Sequence, residues 1–279
     1  MGSHNESVTD FTTFNHAWMR SIKGFLLDIT GVLYNSSGNG GSAITGSVDA
    51  VNRLYAESQV RFVSNESTST RAKLAEKLQR LGFTLDLQHI FTPAPVAASY
   101  VKSHHLKPHL LVHKGILPEF DGCNDSEPKD CVVVGDAEEE FTYANMNTAF
   151  RVLMNSTNPL LISLGCGRFY QRVDGPTLDV GGYAMALKYA TNAEHVVVGK
   201  PNKEYFMHAI EDMNLTKDQV VMIGDDIISD VSAAQEHGIR GVQVRTGKWR
   251  PEWETHPDVK PDLIADNLNT ALNIILGHR

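Results

Sequence analysis

The chain has few cysteines, no long apolar run and no excess of positive charge, and each shortage excludes something. Cys123, Cys131 and Cys166 are its three cysteines in 279 residues. They form no C-x-x-C pair, and any pairing leaves one thiol over. This argues against a disulfide framework or a thiolate metal site, and for a reducing compartment. No apolar stretch approaches the roughly eighteen residues of a membrane helix, and the N-terminal residues lack the apolar core of a signal peptide. A formal net charge of −8 disfavours a broad nucleic-acid or anionic-membrane footprint, while leaving room for a local cationic pocket. No internal repeat or low-complexity tract is evident. The twelve histidines show no metal-like spacing with carboxylates, so surface or core roles are expected for them.

What is present suits a folded α/β protein. A hydrophobic content of 42% can fill a core and a charged content of 21% is ordinary, and the length fits one large domain or a core plus a second unit. Short apolar runs alternate with helical patterns, which reads as repeated βα units and a largely parallel sheet. Phe25-Leu26-Leu27 and residues 60–63 read as buried strands, with Val48, Val51, Leu54 and Tyr55 at helical spacing between them. Ser67-Thr68-Ser69-Thr70 supplies an N-cap for a helix carrying Leu74, Leu78 and Leu81, which Gly82 stops. From about residue 96 the texture changes, with strand candidates at 110–112, Cys131–Val134 and Leu160–Ser163. The first rhythm resumes with a strand at 196–198, a helix through Tyr205, Phe206, Ala209, Ile210 and Met213, and a strand at 220–223. A helix ending at Gly238 and a strand at 242–244 follow. The expected architecture is a doubly wound, parallel-sheet (Rossmann-like) α/β core over 21–95 and 191–279, with a smaller α/β cap domain inserted over 96–190. Residues 1–20 read as a tail without clean periodicity, opening on Met1-Gly2-Ser3-His4 in the manner of an expression remnant.

Ligands of open α/β sheets bind outside the carboxyl ends of the strands. After the first strand comes Asp28-Ile29-Thr30-Gly31-Val32, and after the second Ser64-Asn65-Glu66. Gly199-Lys200-Pro201 follows the resumed strand. Gly224-Asp225-Asp226 follows the next, with Asp230 further on. This set of carboxylates, small hydrogen-bonders and a lysine can hold a phosphoryl group and a hard divalent cation. Each piece alone has a plain reading. Asp28 could be a turn former, Ser64-Asn65 a turn, 199–201 a solvated loop, and Asp225-Asp226 a complement to a helix dipole. Four pieces in this order, each at a strand end, point to a site.

Two other segments invite a reading. Gly38-Asn39-Gly40-Gly41-Ser42-Ala43 fits the degenerate dinucleotide pattern G-x-G-x-x-A, but the preceding strand ends at Leu27, about ten residues too early to set pyrophosphate on a helix N-terminus. No Gly-Lys-Ser/Thr follows, so it is not a P-loop, and a flexible loop near the site mouth is expected. Leu164-Gly165-Cys166-Gly167-Arg168-Phe169-Tyr170 reads either as a connecting loop or as one that faces the substrate. Cys166 has no activating neighbour beyond Arg168 and is expected to be a bystander.

The ordered motifs resemble the haloacid dehalogenase superfamily of aspartate-nucleophile phosphatases, with a large α/β cap between the second and third motifs. The resemblance runs from about Lys23 to Leu276. More narrowly, segments 27–34, 64–67, 78–83, 198–201, 222–226 and 244–248 resemble the members that act on P–N bonds and inorganic pyrophosphate. The resemblance implies catalytic roles for Asp28, Thr30 and Lys200, with Asp28 attacking phosphorus to form an aspartyl-phosphate. It implies Mg²⁺ held by the carboxylates of Asp28 and Asp225 and the backbone carbonyl of Thr30, with Asp226 and Asp230 in support. Asp28, Ile29, Thr30, Ser64, Asn65 and Lys200 would bind the phosphate, and the cap would close over it. One position departs from the commoner pattern. Most members carry Asp two residues after the nucleophile as general acid and base; here that residue is Thr30, which predicts slow hydrolysis of ordinary alkyl phosphates.

The implied function is a Mg²⁺-dependent phosphatase hydrolysing phosphohistidine, phospholysine and inorganic pyrophosphate. Its rivals are a capped phosphatase for a small phosphometabolite of the phosphoglycolate or pyridoxal phosphate type, and a non-catalytic phospho-ligand binding module. Asp28, Lys200 and Asp225 argue against the last, because a binder has no need of a buried nucleophile. The implied partners are a small phosphorylated substrate or a phosphohistidine or phospholysine side chain, with no nucleic acid and no membrane. A homodimer and a cytoplasmic location, extending to the nucleus, complete the expectation.

Overall fold

The computed structural model describes residues 16–36, 40–172 and 175–277. Two parallel sheets organise them. The larger sheet uses β1 (Gly24–Leu27), β4 (Gln59–Val63), β5 (Ile90–Phe91), β12 (Val220–Gly224), β13 (Arg240–Val244) and β14 (Leu263–Ala265), in the order β14-β13-β12-β1-β4-β5. Counted along the chain, this is the 3-2-1-4-5-6 order of a doubly wound fold, which reverses direction between β1 and β12. The register pairs Leu27 with Ile223 on one side and with Phe62 on the other.

Both faces of this sheet are covered, so its central strands read as continuous apolar runs rather than alternating ones. On one face Leu27, Phe62 and Val221 pack with Val51 and Leu54 of α1 (Ser47–Glu57), Leu74 and Leu78 of α2 (Arg71–Arg80), and Leu272 of α8 (Leu268–Gly277). On the other face Leu26 and Met222 pack with Phe206 and Ile210 of α6 (Lys203–Asp212) and Ala234 of α7 (Ala233–Glu236). Thr70 caps α2 by accepting from Lys73 N, as its sequence predicts.

The smaller sheet, β11-β8-β7-β6, is also parallel and joins β6 (Pro108–Leu111), β7 (Cys131–Val134), β8 (Leu160–Ser163) and β11 (Glu194–Val197). Ala97 and Val101 of α3 (Pro93–Ser103) cover one face. Ala149 and Leu153 of α4 (Tyr143–Asn155), with Ala184 and Leu187 of α5 (Val180–Thr191), cover the other. Two ribbons complete the strands: β2 (Tyr34–Asn35) with β3 (Ser42–Ala43), and β9 (Phe169–Arg172) with β10 (Gly175–Leu178). Among the described residues no helix is long and apolar enough to cross a membrane.

Three expectations change. The strand expected to resume the larger sheet at 196–198 pairs instead with β8, so β11 is the edge of the smaller sheet. A four-residue apolar run fits either sheet, and only its distant partner decides. The glycine-rich stretch 38–43 lies partly outside the described residues; its described end, Ser42–Ala43, pairs antiparallel with Tyr34–Asn35. The expected tail through residue 20 is structured from His16, where a 3-10 helix, His16–Ser21, places Met19 in the main core at 0% exposure. So short a helix shows no period in the sequence.

The chain crosses between the sheets twice, through Thr92 and through residues 198–202. The crossings touch: a Cβ on Gly199 would lie 3.0 Å from Pro93 Cγ.

If residues 16–21 are part of the core, truncating Met19 leaves a cavity there. Met19→Ala should lower unfolding stability by about 2–5 kcal/mol, read by urea denaturation. A loss near zero would show that the segment is only laid on the surface.

Candidate active site

The strand-end residues converge at the reversal point between β1 and β12. Asp28 leaves β1 with its backbone N–H donating to the Ile223 carbonyl at 3.0 Å, and Asp225 leaves β12 beside it. Asp230 arrives on the π-helical turn Ile227–Ser232, which Asp226 caps by accepting from Ile228 N and Ser229 N. Oxygens of Asp28, Asp225 and Asp230 lie within 4.8 Å of one another, all three residues being buried.

Lys200 reaches this cluster from the end of β11. Its Nζ lies 2.6 Å from Asp28 Oδ1 and 2.6 Å from Asp230 Oδ1, at 3% exposure. Burial opposes the ammonium charge, but Asp230 and Asp28 outweigh it and raise the pKa above the ordinary lysine value. Asp225 is pushed well up, by burial first and then by Asp28 and Asp230. Asp230 is also raised, by burial, although Lys200 draws it back. Three carboxylates around one buried ammonium leave an excess of negative charge. Lys248 reduces it from the rim. Its backbone N–H donates to Asp225 Oδ2 at 2.7 Å and its Nζ lies 3.3 Å from Asp226 Oδ2. Burial would raise Asp226, but Lys248 and the Ser229 and Ile228 amides hold it below the usual carboxylate range.

Glycine stands at two positions beside Asp225 for a physical reason. Gly31 and Gly247 face each other beside its Oδ2, at φ +90° and +61°, and a Cβ on either would overlap that oxygen. Gln243, fully buried, donates to the Asp225 carbonyl at 2.8 Å and fixes the backbone beneath.

The second motif divides its work. Ser64 is buried, accepts from Glu66 N at 3.2 Å, and has its carbonyl held by Tyr205 Oη at 2.7 Å. The Asn65 side chain, expected to donate to phosphate, clasps the Lys200 backbone, accepting from Lys200 N at 2.8 Å and donating to Lys200 O at 2.9 Å. That uses one of its two amide N–H groups, and it positions Lys200. The Ile29 side chain lies in the main core, which leaves only its backbone to face a ligand. Thr30 Oγ1 lies 3.3 Å from Tyr34 Oη. On the side of the smaller sheet, a Cβ on Gly165 would lie 3.8 Å from Asn65 Nδ2, so the 164–170 loop reaches the site. Cys166 there is exposed, and its thiol pKa is pushed up by its surroundings and by Asp179.

Residues 25–125 match the model of the haloacid dehalogenase-like hydrolases, and residues 197–271 match a second, HAD-hydrolase-like model. The phospholysine phosphohistidine inorganic pyrophosphate phosphatase of Homo sapiens is 50% identical, over 93% of this chain and 96% of that protein. Its namesake in Danio rerio is 48% identical, over 94% of this chain and 97% of that protein.

The chain belongs to the haloacid dehalogenase-like hydrolases.

Solved structures carry the same fold. A p-nitrophenyl phosphatase from Archaeoglobus fulgidus superposes with a TM-score of 0.81 at 26% identity, covering 91% of this chain and 99% of its own. A 4-nitrophenylphosphatase from Thermotoga maritima, 23% identical, superposes at 0.83 over 92% of this chain and 99% of its own. In this haloacid dehalogenase-like hydrolase the buried Lys200 ammonium is set directly against the buried Asp28 carboxylate. The sequence reading assigned no role to Lys248, Gln243 or Tyr205. Residues 244–248 were legible as a motif, but the contacts of all three are non-local.

Replacing Lys200 removes the cation held between Asp28 and Asp230. Lys200→Met should lower p-nitrophenyl phosphate hydrolysis at least ~100-fold, since a single preorganised donor is worth ~10²–10³ in rate. A loss of a few fold would place the ammonium outside the chemistry.

Proposed function

We propose that this hydrolase is a Mg²⁺-dependent phosphatase that works through an aspartyl-phosphate and acts on phosphohistidine, phospholysine and inorganic pyrophosphate. The observation that carries the mechanism is the Lys200 ammonium held 2.6 Å from Asp28 Oδ1. Asp28 attacks phosphorus, the leaving group departs with its electron pair, and water then cleaves the acyl phosphate, restoring the carboxylate. Lys200 offsets the repulsion between an anionic nucleophile and an anionic phosphoryl group. Ser64 Oγ already accepts from Glu66 N, and its own proton serves a phosphate oxygen; the backbone of Ile29 and Asn65 lines the same end. Asn65 acts by fixing Lys200.

The donor set fits a hard divalent cation. It offers only oxygens, and the raised Asp225 shows that its negative charge is incompletely balanced. Asp28, Asp225 and the Thr30 backbone carbonyl would hold Mg²⁺. Both Asp230 oxygens are occupied, by Lys200 at 2.6 Å and Asp226 N at 3.1 Å, so Asp230 and Asp226 support. The bound ion supplies charge stabilisation for the transferring phosphoryl group.

The substrate class rests on the near full-length similarity to the human and zebrafish proteins of that name, and Thr30 agrees with it. A threonine is a weaker proton donor than the carboxylic acid it replaces, which matters most for an alkoxide leaving group. A phosphoramidate nitrogen takes its proton from solvent, and phosphate leaves pyrophosphate as a stabilised anion. The smaller sheet with α3 to α5 serves as the cap, and its 164–170 loop contributes to substrate choice. A cytoplasmic location and a homodimer belong to the same proposal.

Two measurements test it. Across pyrophosphate, phosphohistidine, phospholysine and phosphoglycolate, the first three should give the higher kcat/KM, and Asp28→Asn should abolish all turnover while remaining folded. A preference for phosphoglycolate would assign the phosphometabolite reading, and residual turnover in Asp28→Asn would remove the nucleophile. Separately, Mg²⁺ at about 100 times its Kd should stabilise the fold by ~2.7 kcal/mol. Asp225→Asn should erase that gain in thermal melts. An equal gain in the variant would move the metal elsewhere.

A further inference from the structure

The position that commonly carries a general acid holds Thr30 here, and the structure shows what stands behind it. Residues 30–34 turn back on themselves, Gly31 N donating to the Tyr34 carbonyl at 2.8 Å and Leu33 N to the Ile29 carbonyl at 2.9 Å. The turn carries Tyr34, fully buried, under Thr30, with the two hydroxyl oxygens 3.3 Å apart. Lys77, on α2, closes the row. Its Nζ lies 2.9 Å from Tyr34 Oη and 4.4 Å from the centre of the Tyr34 ring.

The chemistry of these groups sets a direction. An ammonium only donates, so Tyr34 Oη must accept from Lys77. Thr30 Oγ1 is placed as donor to Tyr34 Oη, but hydroxyl protons rotate to suit their partners, so the Tyr34 proton can turn to Thr30 Oγ1 instead. Thr30 accepting from Tyr34 can turn its own proton forward, towards the group leaving phosphorus. The row therefore runs from a half-buried cation in contact with solvent, through a buried phenol, to the threonine two residues after the nucleophile.

We propose that Lys77 and Tyr34 are positioning residues that make Thr30 a proton donor to the leaving group. This rests on the phosphatase reading above. As the bond to phosphorus breaks, the departing atom takes the electron pair and the Thr30 proton. The Tyr34 proton passes to Thr30, and a Lys77 proton passes to Tyr34. Lys77 is left as a neutral amine, which solvent reprotonates. Charge and protons balance without any further reactant. Such a chain matters least for a leaving group that departs as a stable anion and most for an alkoxide.

The test compares the parent with Tyr34→Phe, Lys77→Met and Lys77→Arg on β-glycerophosphate, a poor leaving group, and p-nitrophenyl phosphate, a good one. The readout is the ratio of the two kcat/KM values, which a merely structural loss would leave unmoved. The ratio should fall ~10-fold or more in Tyr34→Phe and Lys77→Met, at the low end of the ~10²–10⁴ ascribed to acid–base catalysis. Lys77→Arg, which keeps a donor, should restore most of it. Lys77 is half-exposed, so its variants report even if Tyr34→Phe unfolds. A ratio within about twofold of the parent in Lys77→Met, or an equal loss on both substrates, overturns the inference and leaves the phosphatase reading standing. A parent that hydrolyses neither ester also overturns the inference, and one that fails on pyrophosphate as well sinks that reading too.

Discussion

One ammonium shared between two carboxylates sets the terms for the rest of the site. Lys200 Nζ sits midway between Asp28 and Asp230, out of contact with water. Burying either kind of charge alone is prohibitive, and even together they need geometry good enough to offset desolvation. The surroundings supply that geometry by rigid means: a parallel sheet beneath, a capped turn under Asp230, and an asparagine locked onto the lysine backbone. Asp225 is the carboxylate that the ammonium does not hold, and burial first, then Asp28 and Asp230, raise its proton affinity.

The partners in this ion pair come from different sheets. Asp28 and Asp225 hang from the central strands of the larger sheet, while the lysine follows the edge strand of the smaller one. Asn65, from a third strand end, ties the two together. The electrostatic centre of the site is thus also a junction between the two sheets, and the ion pair exists only when both are in place.

Legibility in the sequence followed the range of the contacts. The larger sheet could be read because its apolar runs are buried on both faces, and Asp28, Ser64 and Asp225 because each directly follows such a run. Lys200 could be read as a motif but not as a member of the smaller sheet, since β8 is its strand's partner only in three dimensions. Met19 was hidden because six residues of 3-10 helix carry no periodic signal. The Asn65 clasp, Gln243 beneath Asp225 and the Lys77–Tyr34 contact depend on residues far apart in the chain, and no local pattern announces them.

The touching of the two chain crossings, at Pro93 and Gly199, has a mechanical consequence. Two connections that meet at one place define a pivot rather than a strap. Lys200 lies next to that pivot, so a rotation of the smaller body would sweep its distant loops through a wide arc while the ammonium hardly moved. Such a lever would open the approach to the site without breaking the Asp28–Lys200 ion pair. Access and reactivity can then be varied independently: one by the length of the arm, the other by what stands at the fulcrum.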